Sequence, residues 1–373
     1  MTLAVASVAL GALPRVLLAM DALPAALQPF VWSDVLHIWE RGARAGSLPY
    51  RDVPFEYPPL TGMTWAAIEA VAGSAAAHVA LWVAVQAAAA GVVAFALACA
   101  AGPKRAIVFW SLSPQLLLYG SVNFETFALA PLVIAVVLAR RERMVVSSVA
   151  LAVGTAVKLF PAAVLPVVLA RSLRGDARAA VASAIAFSVV VAAAFAPTAS
   201  APFSSLFSPW RYSVGIEPNL DSPWGLVREV VRAAGWDPVE AIVAVTLVGT
   251  VATFVIAVLP AAWRAPDAAV GAGLAITTVL LWSRLFSPQY VLWLLPFFSL
   301  AIPSMRTFLL LTVADLGVFA TIYPLTLVRW SPDDPLATAL VGILAAAVLA
   351  RHAVLILVWR ALWSRRARRY ASR

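Results

Sequence analysis

Residues Ala75–Ala101 form an apolar run without a single Asp, Glu, Lys or Arg, and nothing else in the chain restricts its fold so strongly. About 20 apolar residues in a helix cross a hydrocarbon core of ~30 Å. Ala75–Ala101 exceeds that length, and Ala177–Ala196 and Ala241–Ala262 also suffice. The composition agrees: 63% of the 373 residues are hydrophobic and 12% are charged, whereas a soluble domain carries about 25% charged residues. The expected fold class is all-α: a polytopic integral membrane protein forming one domain over residues 1–373, with about ten to twelve membrane helices, some of them short broken hairpins. The lone Cys99 lies inside an apolar run, so no intramolecular disulfide can form.

A net charge of +9 suits a nucleic-acid binder until the charges are placed. The short junctions between apolar segments are basic: Lys104–Arg105, Arg140–Arg143, Arg171–Arg178, Arg264, Arg306 and the tail over residues 360–373. By the positive-inside rule these are cytoplasmic, which puts the C-terminus inside and leaves no nucleic-acid surface. Sixteen of the 27 Lys/Arg then fall inside, while 14 of the 18 Asp/Glu fall outside. Two outer segments are long, residues 21–74 and residues 197–239. The first apolar run, followed by Met20 and Asp21, reads as an anchor rather than a cleaved signal. No basic lead precedes it, which raises a start upstream of Met1 as one reading.

Residues 144–170 are apolar, with "RRER" before them and "RSLRGDAR" after them. One straight helix would put a basic cluster on the wrong face. A hairpin broken near Lys158 satisfies both ends, and Pro161 supports the break because it lacks the helix donor. Irregular backbone at membrane depth must face protein or a wet cavity, so Lys158 is expected in a cavity open to the outer side.

The polar residues outside suggest a site. In "VWSDVLHIWERGARAG", a helical reading puts Asp34, His37, Arg41 and Arg44 on one face and Val35, Ile38, Trp39 and Ala43 on the other, as in a helix lying at the interface. Asp34 is then either a cap or a partner of Arg41, or it is a general base taking a proton from an attacking hydroxyl. "SLPYRDVPFEYPPL" follows, with Pro58 and Pro59 suited to a helix start and Glu56 to its dipole. It is a rigid return to the bilayer, or a wall holding Asp52, Glu56 and Tyr57 at a site. "NFETF" adds Asn123 and Glu125, "SPWRYSVGIEPNLDSPWG" adds Arg211 and Asp221, and "SRLFSPQYVLWLLP" adds Arg284, Gln289 and Tyr290. Trp282, Trp293 and Trp330 read as belt residues. Arg284 and Lys158, cations on the acid-rich side, suit an anionic ligand such as a phosphodiester. Asp315 and Arg351 lie at similar depth in the last two helices and are expected to pair, since an unpaired charge there is costly.

Several chemistries are missing. There is no P-loop, no G-x-G-x-x-G after a strand and no H-E-x-x-H, and the three histidines are scattered, so no zinc site and no nucleotide-binding domain are expected.

The pieces "GSLPYRDVPFEYPPL" (residues 46–60), "VKLFPAAVLP" (157–166) and "SPQYVLWLLP" (287–296), with Asp34 upstream, resemble glycosyltransferase family eighty-seven, the actinobacterial mannosyl- and arabinofuranosyltransferases that use polyprenyl-phosphate sugars. The resemblance runs to residue 303. It implies a GT-C-like fold with the active site on the outer face, a polyprenyl-phosphate-linked sugar as donor, and Asp34 as the base. Where relatives often show an aspartate, this chain reads "NFET". Physical reasoning assigns the leaving phosphate to Arg284, Lys158 and Arg211, and inversion would follow from one displacement. Asp52, Glu56, Tyr57, His37, Asn123, Glu125, Gln289, Tyr290 and Asp221 would support the site or bind the acceptor, a glycolipid or polysaccharide. No metal or other cofactor is required, though Glu56, Glu125 or Asp221 could hold a metal. Mannose is the expected sugar and arabinofuranose its rival. A lipid-linked-glycan transporter or flippase is the alternative from another class, but the internal repeats expected of one are not visible. A non-catalytic assembly partner would not need Asp34 to be acidic.

Overall fold

A computed structural model describes residues 1–41, 46–265, 267–302, 304–328, 331 and 334–365. Ala43 and Arg44, Trp330 and the tail beyond Arg365 lie outside the described residues. The elements that build the site are α1 (Thr2–Ala19), α2 (Asp34–Glu40), α3 (Pro59–Glu69), α4 (Ala75–Ala101), α5 (Glu125–Arg140), α6 (Met144–Val157) and α7 (Leu165–Gly175). They continue with α8 (Ala177–Ala194), α9 (Ser208–Gly215), α10 (Val239–Arg264), α11 (Ala268–Trp282), α12 (Met305–Leu327) and α13 (Pro335–Arg365). No strand occurs among the described residues, and the protein is an all-α polytopic membrane protein. Six helices are long and apolar enough to span a bilayer: α1, α4, α8, α10, α12 and α13. The others are shorter or broken.

Local chemistry sets the helix ends. The Ser74 hydroxyl accepts the Ala77 amide at 3.2 Å and starts α4, while Gly102, at φ +91°, ends it before Pro103, a left-handed stop few residues other than glycine tolerate. Asp176 and Asp267 cap α8 and α11 through the amides of Arg178 and Ala269, each at 2.9 Å, as short acceptors at helix starts do. α11 is apolar on every face and almost entirely buried, the mark of a central helix. By contrast α8 exposes Val181, Ile185 and Val189, and α10 exposes Leu247, Val251 and Ile256, which suits helices facing lipid. α1 packs so closely on the Pro114–Tyr119 helix that a Cβ on Gly11 would stand 1.5 Å from the Leu117 carbonyl oxygen.

The expected break at Lys158 is present. α6 ends there in extended backbone, one turn of tighter helix covers Phe160–Val164, and α7 returns. Both ends of this hairpin lie together, because Arg171 reaches Glu142 at 2.7 Å. Arg140 and Asp267 meet at 3.0 Å, and Arg174 donates to the Trp263 carbonyl at 3.0 Å. The basic junctions at residues 140–143, 171–178 and 264 thus gather at one end of the bundle. Asp315 and Arg351 pair at 2.8 Å, both fully buried. Arg351 does more than neutralise: its Nη2 also donates to the carbonyls of Asp221 and Phe286, at 2.6 and 2.5 Å.

Candidate active site

Ser33 and Asp34 divide the work at the start of α2. The Ser33 hydroxyl takes the capping role, accepting the Leu36 amide at 3.1 Å, so the Asp34 carboxylate is free to point elsewhere. One oxygen accepts the Trp32 indole N–H at 2.8 Å, and the other accepts the Asn123 amide at 2.6 Å. Arg41 does not pair with it either. That guanidinium makes a two-pronged bond to Glu56, 2.6 Å on each oxygen. Both ordinary explanations of Asp34, cap and salt-bridge partner, are therefore taken by other residues. The amphipathic reading also needs correction. α2 ends at Glu40, and His37 and Arg41 are exposed, but Asp34 turns inward. Helical periodicity misplaced it because Asp34 is the first residue of the helix, where the side chain follows the loop rather than the turn. Burial pushes its carboxyl above the usual carboxylate range, against the hydrogen bonds from Trp32 and Asn123 and the charge of Lys158, as desolvation of an anion must.

Asp34 lines a chamber of about 400 Å³ together with Glu56, Tyr57, Asn123, Lys158, Asp221, Gln289 and Tyr290. Residues as far apart in sequence as Trp32 and Thr326 meet here, drawn from both long connections, the hairpin break and the segment after α11. Among the described residues lining it, Lys158 is the only cation. Its ammonium is paired with Glu125 and stands 5.0 Å from the Tyr290 ring centre. Glu125, fully buried beneath the chamber, also accepts the Trp293 indole N–H. Trp293 is thus not a belt residue. It is buried and sandwiched between Phe160, at 3.9 Å and nearly parallel, and Tyr290, at 4.5 Å.

Four expected site residues lie away from this chamber. Arg284 donates to the carbonyls of Ser213, Val214 and Ile216 at 3.1 to 3.3 Å, so its guanidinium closes the 197–239 connection. Arg211 is exposed and bonded to the Ser204 carbonyl. Asp52 sits on a turn, where Arg51 and the Leu48 amide hold its carboxyl down to about 2. His37 faces Glu40 loosely at 3.9 Å. Conversely, the chamber includes Trp32, Tyr212 and Tyr323, none of them singled out in the sequence as site residues. Tyr323 stacks on Trp32 and donates to the Gln289 side chain at 3.2 Å. A tyrosine directly before Pro324 inside an apolar helix was the available signal.

A second cavity, of about 430 Å³, adjoins the first and shares Leu159, Phe160, Tyr212, Ser213, Ile216, Leu285, Tyr290 and Trp293 with it. Its remaining walls are mostly apolar, with Val243, Thr246, Leu247 and Thr250 of α10 and Val279 and Trp282 of α11, but Arg284 also lines it, next to the chamber rather than in it. A polar chamber thus continues into a greasy groove along a membrane-spanning helix.

The family model for glycosyltransferase family 87 matches residues 55–288. The chain belongs to glycosyltransferase family 87. It is therefore a glycosyltransferase, and sugar donor and acceptor are its substrates. The matched stretch carries Glu56, Tyr57, Asn123, Glu125, Lys158 and Asp221, while Asp34 precedes it and Gln289, Tyr290 and Tyr323 follow it. No curated protein matches the sequence.

Proposed function

We propose that this family 87 enzyme is an inverting transferase that moves a sugar, mannose before arabinofuranose, from a polyprenyl-phosphate donor to a hydroxyl of a glycolipid or cell-envelope glycan. The supporting observation is the continuity of the polar chamber with the apolar groove between α10 and α11. A lipid-linked sugar phosphate has both characters in one molecule, whereas a soluble sugar nucleotide would leave the groove without an occupant. The donor phosphate enters beside Lys158 and the sugar fills the chamber. The acceptor oxygen attacks the anomeric carbon, its proton passes to the Asp34 carboxylate, and the carbon–oxygen bond to phosphate breaks with its electron pair leaving on the phosphate. One displacement inverts the centre. Lys158 offsets the leaving charge once it turns from Glu125. A carboxylate held by two neutral donors rather than a cation keeps the basicity this step needs. The basic junctions lie at the end of α5 and of the hairpin opposite to Glu125 and Lys158, which supports an extracytoplasmic chamber under the positive-inside rule.

The test is Asp34→Asn in membranes supplied with radiolabelled polyprenyl-phosphate mannose. Transfer falls by at least about a hundredfold while donor binding persists. Unchanged transfer removes Asp34 from the mechanism, and lost donor binding recasts it as a binding residue. Competition by polyprenyl-phosphate arabinose in the same assay identifies the sugar.

A further inference from the structure

Arg15 lies in α1, one turn before its end, and is 4% exposed. A charged side chain in a membrane helix ordinarily pairs with an acid, yet no carboxylate contacts this guanidinium among the described residues. Four of its N–H groups are used on neutral acceptors instead. Nε donates to the Trp32 carbonyl at 2.9 Å, Nη1 to the Gly11 carbonyl at 2.8 Å and the Ser121 hydroxyl at 3.2 Å, and Nη2 to the Leu118 carbonyl at 2.8 Å. Three of these acceptors, on Trp32, Leu118 and Ser121, flank the two groups that hold Asp34. Trp32 carries the indole donor to one carboxylate oxygen, and the 118–121 segment leads directly into Asn123, the donor to the other. The Asp34 amide in turn donates to the Val122 carbonyl at 3.0 Å, closing the ring between the two segments.

We propose that Arg15 is a positioning residue for Asp34: its fork aligns the Trp32 and Asn123 segments, and its unpaired charge favours the ionised carboxylate. The inference rests on Asp34 being the base. It accounts for an arginine standing where a leucine would cost less to bury. A lysine could keep the charge but could not bridge three carbonyls and a hydroxyl with a planar fork. Other charged or titratable groups also surround Asp34: Glu56 and Tyr57 from the loop before α3, Glu125 with Lys158 at the hairpin, Tyr212 of α9, Asp221, Tyr290, Tyr323 of α12 and His37 on its own helix. Their contributions are common to wild type and variants, so a change at Arg15 is read as a difference.

The experiment measures kcat/KM for sugar transfer against pH in wild type, Arg15→Lys and Arg15→Gln, with folding followed by thermal unfolding in detergent and donor affinity measured separately. In Arg15→Gln the acid limb moves up by about one pH unit, the order expected for losing a nearby unit charge. In Arg15→Lys the limb stays and kcat falls, with donor binding retained in both. A pH-independent loss in both variants, tracking a lower unfolding temperature, overturns the proposal and leaves Arg15 as a packing residue. An unshifted limb with full activity overturns it as well. Retained transfer in Asp34→Asn removes the underlying reading instead, and the two failures are distinct. Should Arg15→Gln not fold, Ser121→Ala together with Arg15→Lys tests the fork alone: kcat falls below that of Arg15→Lys if the proposal holds and equals it if not.

Discussion

Asp34 owes its character to what its neighbours already do. Ser33 caps the helix and Glu56 satisfies Arg41, so the remaining carboxylate is held by an indole and an amide in a half-buried wall. Burial raises the pKa of an acid, and the base proposed here works only when ionised, so the proposal predicts that activity is lost on the acid side at a pH above the usual carboxylate range. The kcat/KM profile checks this; a limb at or below about 4, the unperturbed value, contradicts it. Asn123→Asp sets a second carboxylate beside Asp34 in place of a 2.6 Å donor. Like charges oppose ionisation, so the acid limb moves further up and transfer near neutrality drops about tenfold or more. The sequence exposed the residue types here but not their partners. The Lys158–Glu125 pair and the stack of Phe160, Trp293 and Tyr290 join segments far apart in the chain. An aromatic near a membrane edge looks the same in sequence whether it meets headgroups or a buried acid, which is why Trp293 was misread.

At the scale of elements, charge placement was the most legible signal. Basic clusters on both sides of residues 144–170, with Pro161 between them, required a chain that turns back, and the Arg171–Glu142 contact shows the return. Short loops and long apolar runs likewise marked the spanning helices. Amphipathic periodicity did worse, because α2 is only seven residues long and its first residue obeys the loop. Close helix contacts were invisible, since a glycine in an apolar run has many possible reasons. Gly11 has a specific one. Gly11→Ala forces α1 away from the Pro114–Tyr119 helix, an overpacking that costs about 1–3 kcal/mol. Thermal unfolding in detergent detects that loss, and an unchanged midpoint contradicts the close packing.

Across the whole molecule, two buried arginines fix segments that line or lead into the chamber. Arg15 holds the Trp32 segment, and Arg351, paired with Asp315, holds the carbonyls of Asp221 and Phe286 that precede the Ser287–Tyr290 wall. The sequence foretold the Asp315–Arg351 pair from depth alone, but not that it carries a site wall, because backbone acceptors leave no trace in side-chain identity. Asp315→Leu leaves a buried guanidinium without its acid and costs about 3–5 kcal/mol. Adding Arg351→Met recovers much of that stability. It does not restore the carbonyl bonds, so the donor KM stays raised; a double variant with wild-type KM would reduce the pair to a neutralised charge. The central claim is that one continuous site takes both halves of a lipid-linked sugar. A structure of Asp34→Asn in lipid nanodiscs with polyprenyl-phosphate mannose tests it most directly. The account predicts phosphate beside Lys158, the anomeric carbon facing residue 34 and the prenyl chain along the groove between α10 and α11; a donor bound outside both cavities would contradict it.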